Sequence, residues 1–152
     1  MKVDTVLKTK GRTVETIRSD QSIVMALHKL SSLGIGALVV SDDGQRVEGL
    51  VAERDIVRGL NKHGARLMDL SVSNVMSKAF PVCSPDDTLK HVMEEMTRTR
   101  NRHVPVVVEG GKLCGLVSIG DVVKHLVEEV ELESRVMRDY VGGRWPAAEH
   151  RS

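Results

Sequence analysis

The stretch GLVAERD at residues 49–55 returns 66 positions later as GLVSIGD at 115–121. Sliding the chain by that interval aligns 14–60 with 80–126 without a gap, and nine of the 47 positions are identical. Unrelated segments of ordinary composition would share about three. The matches include Asp20/Asp86, Gly44/Gly110, Gly49/Gly115 and Asp55/Asp121, residue types that turns and helix starts need. A chain made of two copies must find a fold in which the copies complete one another.

Each copy reads as β-α-β-β-α. A short extended piece (14–17 or 80–83) leads into a helix cap, SDQS at 19–22 or SPDDT at 84–88. An amphipathic helix follows, with Ile23, Ala26, Leu27 and Leu30 on one face, or Leu89, Val92, Met93 and Met96. Two strands joined by DDG or EGG turns come next, and a second helix opens near Asp55 or Asp121. Three strands backed by two helices bury too little apolar surface alone. The expected fold is therefore α/β (α+β): two pseudo-twofold units packed through their sheets. Residues 1–66 form the first unit with an N-terminal segment, and 67–130 the second. Residues 131–152 extend the last helix, which GGRWPAAEHRS ends as a mobile tail.

Aromatic residues make up only 2% of the chain, so the core must be aliphatic. The same scarcity, with a net charge of +1, argues against nucleic-acid binding, although Lys8, Lys10, Arg12, Arg98, Arg100 and Arg102 offer basic clusters. MKVDTVLKTKG has no apolar leader, and no run is long enough to span a membrane; a cytoplasmic location is expected. Cys83 and Cys114 lie in apolar strand contexts and read as free thiols. Neither His91 nor His125 has a partner at metal-ligand spacing.

The chemistry concentrates at the repeated motif. In the second copy a strand ends and a helix starts near Gly120 and Asp121, where unpaired N–H groups favour an anion. Ser118 adds a hydroxyl, Gly120 permits close approach to backbone, and Asp121 offers two acceptors suited to ribose hydroxyls. The bland alternative is a capping aspartate that merely starts the helix. Duplication of the motif in one chain favours the ligand reading.

On SDQSIVMALHKLSSLGIGALVVSDDGQRVEGLVAERDIVRGL and SPDDTLKHVMEEMTRTRNRHVPVVVEGGKLCGLVSIGDVVKHL, the chain resembles a stand-alone tandem pair of CBS domains over about residues 3–130. The resemblance implies clefts between the units that hold adenosyl ligands: AMP, ADP, ATP, S-adenosylmethionine or NAD(H). It also implies a disc-shaped homodimer. The family's hydroxyl-then-aspartate pattern falls on Ser118 and Asp121, as phosphate and ribose contacts. In the first copy Asp55 matches, but Ala52 replaces the hydroxyl, and Arg54 stands where Gly120 does and could serve the phosphate instead. NRHVPVV at 101–107 resembles the family's H-R-h-P element, with Arg102 and His103 directed at phosphates. By alignment the adenine contacts of one cleft are Lys10, Gly11 and Glu15 with Ile35 and Gly36. Those of the other are Met76, Ser77 and Pro81 with Asn101.

No P-loop, nucleophile elbow or deaminase motif occurs in the sequence. The expected function is a non-catalytic sensor of energy or redox state that requires no cofactor and signals to an unknown effector protein. The competing class is a small nucleotide-utilising hydrolase.

Overall fold

The computed structural model describes residues 1–144 of the chain. In order, the elements are α1 (Val3–Lys10), β1 (Thr16–Ile17), α2 (Ile23–Leu33), β2 (Ala37–Val40), β3 (Gly49–Ala52) and α3 (Glu53–His63). A 3-10 helix (Gly64–Asp69) and α4 (Val72–Val75) lead to α5 (Leu89–Thr99), β4 (His103–Val108), β5 (Lys112–Ser118) and α6 (Ile119–Arg144). The mixed α/β architecture of two units is the expected one.

The first unit holds a three-stranded sheet, β1 parallel to β2 and β2 antiparallel to β3; the second holds the β4–β5 hairpin. Its third strand shrinks to a bridge between Cys83 and Val106. The cause is a proline. Val39 donates to the Glu15 carbonyl at 3.3 Å, but the counterpart of Val39 is Pro105, which has no N–H to give. The next bond survives in both units: Ser41 N–H to Ile17 O at 2.9 Å, and Val107 N–H to Cys83 O at 2.8 Å.

Two aliphatic cores result, as the lack of aromatics requires. The first gathers Ile23, Ala26 and Leu30 of α2 with Leu38, Val40, Val51 and Ile56; the second gathers Leu89, Val92 and Met96 of α5 with Val104, Val106, Val117 and Val122. Ser22 caps α2 by accepting Met25 N–H, and Thr88 caps α5 by accepting His91 N–H, both at 3.1 Å.

Each core is closed by a segment that precedes the other unit. Val3, Val6 and Leu7 of α1 are buried in the second core, whereas Leu67 and Val72 are buried in the first. The docking bonds correspond pair by pair. Val3 N–H reaches Asp87 O at 2.9 Å and Leu89 N–H reaches Met1 O at 3.0 Å; Val72 N–H reaches Gln21 O at 2.8 Å and Ile23 N–H reaches Leu70 O at 3.0 Å. α1 and α4 are thus equivalent, at an interval of 69 rather than 66. The pseudo-twofold passes between Arg46 and Lys112, equivalent residues that bridge each other at the tips of the hairpins.

α6 continues through Gly142 to Arg144, so the GG pair does not stop the helix. Residues 145–152, where the tail was expected, lie outside the described residues. No helix among the described residues is long and apolar enough to cross a membrane.

Candidate functional site

A cleft of about 510 Å³ opens between the units, lined from the first by Gly36, Ala37, Leu50, Ala52, Glu53, Arg54, Asp55 and Val57, and from the second by Asn101, Arg102 and His103. Asp55 sits in the first turn of α3 because β3 runs straight into the helix, and it accepts Ala52 N–H at 2.8 Å. Its carboxyl is pushed above the usual range by burial, which outweighs the Ala52 N–H and the nearby Arg54 and Arg58. Arg54 spans the cleft, donating to the Arg100 carbonyl and to Asn101 Oδ1, the latter at 3.1 Å.

The counterpart carboxylate, Asp121, stands in a different setting. Its Oδ2 accepts three donors: Lys10 Nζ at 2.6 Å, and Ser118 N–H and Ser118 Oγ at 2.9 Å each. Burial raises its pKa, but Lys10 and Ser118 together overcome that and hold it below the usual carboxylate range. Lys10 Nζ also donates to Leu116 O at 2.8 Å. In the first unit the equivalent acceptor, Leu50 O, takes Ser77 N–H at 2.8 Å. The difference follows from helix length: α4 stops at Val75 and lets Ser77 pair along β3, whereas α1 runs on to Lys10.

The residues anticipated from sequence therefore divide into two groups. Gly36, Arg54, Asp55, Asn101, Arg102 and His103 surround the open cleft, and Lys10, Ser118 and Asp121 form the second cluster. Lys10 acts on the charge of His103, whose imidazole touches Gly36, although α1 itself packs on the second core. Ser77 pairs with Leu50 on the first unit's side, and Met76 packs against Gly49 and the first core. Gly11 closes α1 at φ 100°, Glu15 contributes its carbonyl to β2, and Ile35 packs on the first core. Pro81 is half-buried in the segment before Cys83. Gly120 has open space where a side chain would begin, with only Ser118 Oγ within reach at 3.6 Å.

Sequence reasoning missed Glu53, Ala37, Leu50 and Val57 in the cleft lining, and the Lys10–Asp121 pair. The signal for the pair was present, since VDTVLK at 3–8 echoes VSNVMS at 72–77, but an ungapped repeat search passes over a change of interval. Among the described residues no group of His, Cys, Asp and Glu could hold a metal ion.

A duplicated unit with a carboxylate at each strand-to-helix turn and a cleft across the units defines a class of module, and comparison with known families names it. The CBS domain family model matches residues 11–62 and 72–128, and the chain belongs to that family as a tandem pair. It is 30% identical over 149 residues to the CBS domain-containing protein CBSX3, mitochondrial, of Arabidopsis thaliana, covering 93% of this chain and 72% of that one. The crystal structure of the CBS-domain protein ATU1752 from Agrobacterium tumefaciens superposes with a TM-score of 0.78 at 43% identity, over 82% of this chain and 98% of that one. Two further structures share the fold at lower identity. One is the CBS pair of MJ0100 with 5′-methylthioadenosine and S-adenosyl-L-methionine (TM-score 0.74, 21%, 85% of this chain and 98% of that one). The other is CBSX2 with AMP (TM-score 0.67, 24%, 78% and 90%).

Proposed function

We propose that the protein is a non-catalytic regulatory module that binds an adenosyl nucleotide, AMP, ADP, ATP or NAD(H), between its two units and passes the binding state to a partner protein in the cytoplasm. The observation that carries this reading is the 510 Å³ cleft, a volume typical of small-molecule sites, with Arg54 and the Asp55 carboxylate at the start of α3 and Arg102 and His103 opposite. The carboxylate suits ribose hydroxyls, and the two guanidinium groups favour a phosphate over a sulfonium. The AMP and S-adenosylmethionine complexes of fold relatives support an adenosyl ligand.

Arg54 supplies the means of signalling. In the free protein its guanidinium ties the first unit to Arg100 and Asn101 of the second. A phosphate that recruits Arg54 loosens this tie, so ligand affinity differs between the tied and released arrangements, as linkage requires. A homodimer is the proposed assembly. Val57 of α3 and its counterpart Val123 of α6 leave apolar surface exposed at matching positions of the pseudo-twofold, with Leu60 exposed beside Val57, available to a second copy.

The test is calorimetric titration with AMP, ATP, NADH and S-adenosylmethionine, on the parent chain and on Asp55→Ala, Asp121→Ala and the double variant. The expected result is tightest binding by a phosphate-bearing ligand, with sites lost one per substitution. Undiminished affinity and stoichiometry in the double variant would overturn the reading.

A further inference from the structure

The two repeated carboxylates differ in one respect that repeat symmetry does not anticipate. Among the described residues Asp55 makes one hydrogen bond, to Ala52 N–H, whereas Asp121 Oδ2 carries a lysine ammonium and both donors of Ser118. Lys10 is held in place by its setting. It is the last residue of α1, whose Val3, Val6 and Leu7 are buried in the second core, and its ammonium has two fixed acceptors, Asp121 Oδ2 and Leu116 O.

We propose that Lys10 determines which ligands enter the Asp121 cleft: its ammonium covers the carboxylate in the free protein, and only an adenosyl ligand that carries a phosphate draws it away. This inference rests on the nucleotide reading above and deepens it by separating the two clefts. A ribose that donates to Asp121 competes with three donors already on Oδ2. The ammonium it displaces, 38% exposed, keeps Leu116 O and water but gives up its charge-assisted bond to Asp121, a loss that another anion would offset. A phosphate provides that anion within the same ligand. Adenosine and 5′-methylthioadenosine provide nothing, and a sulfonium adds a second positive charge beside the first. The Asp55 cleft imposes no such condition, since no lysine reaches its carboxylate among the described residues.

The experiment uses the full chain carrying Asp55→Ala, so that only the Asp121 cleft reports, with and without Lys10→Met. Both are titrated calorimetrically with AMP and with adenosine, and urea unfolding establishes that each variant is folded. With Lys10 present, AMP should bind more tightly than adenosine by about tenfold or more, the worth of a hydrogen bond to a charged group. Lys10→Met should weaken AMP and strengthen adenosine, so that the preference collapses. An AMP-to-adenosine ratio unmoved by Lys10→Met would overturn the role of Lys10 while leaving the nucleotide reading intact. Lys10→Arg, which keeps the charge, should retain the preference if the charge is the cause, and its loss there would also count against the proposal. Failure of AMP, ATP and NADH alike to bind the parent chain would overturn both readings together.

Discussion

The imidazole of His103 rests on Gly36: a Cβ added to the glycine would stand 3.2 Å from His103 Cε1. This contact joins the two units at the cleft, with Glu53 close by the glycine. Burial lowers the His103 pKa, Lys10 and Arg102 lower it further, and Asp121 and Glu53 only partly oppose them.

A pH dependence follows. A histidine whose folded pKa lies below its unfolded value of about 6.5 adds stability while neutral, and loses it as pH falls through 6.5 toward the folded value. Unfolding free energy in urea should therefore fall between pH 7.5 and 5.5, and His103→Gln should remove that fall. Asp55, whose pKa is raised, acts with the opposite sign and cannot produce it. The same slope in the variant would show that another group is responsible.

Gly49 and Gly115 are the positions where α4 and α1 press on the hairpins. A Cβ on Gly115 would come within 2.6 Å of Leu7 Cδ2, and one on Gly49 within 2.7 Å of Met76 Sδ and 3.0 Å of the Ser77 carbonyl. Gly115→Ala should destabilise by about 1–3 kcal/mol, the usual range for overpacking a closed core. Pairing it with Leu7→Ala, which removes the colliding methyl groups, should recover part of the clash. Chemical denaturation of the two single variants and the double variant tests this, and strictly additive losses would refute the contact.

Arg100 ends α5 in the left-handed conformation at φ 57°, where its counterpart Gly34 ends α2 at φ 63°. The conformation costs a non-glycine residue about 1 kcal/mol or more. Arg100→Gly should therefore raise the urea midpoint by roughly 1 kcal/mol of stability and leave the carbonyl that receives Arg54 in place. An unchanged or lowered midpoint would mean that the arginine side chain compensates for its backbone.

The architecture was legible in the sequence where periodicity and turn chemistry agreed. The helix faces at 23–30 and 89–96 and the hairpins around Gly44 and Gly110 lie where expected. Asp55 and Asp121 were legible because they recur after identical GLV strands. Three things were hidden. The loss of a strand at 80–83 turns on the missing N–H of Pro105, a residue far from that segment. α1 went unread because its eight residues, VDTVLKTK, carry a short apolar pattern that makes sense only against the second core. The Lys10–Asp121 pair then stayed hidden too, since its partners are 111 positions apart and meet only after α1 crosses over. Sequence spacing records local geometry and says little about which distant segment closes a core.

That crossing has a consequence during synthesis. Val3, Val6 and Leu7 leave the ribosome long before Val117 and Val122, which help to bury them. α1 is thus made before its shelter and must remain soluble, or be guarded, until β5 and α6 follow. The final docking of α1 is then an act of completion: a chain cut short before β5 would leave the apolar face of α1 exposed, a ready mark of an unfinished product.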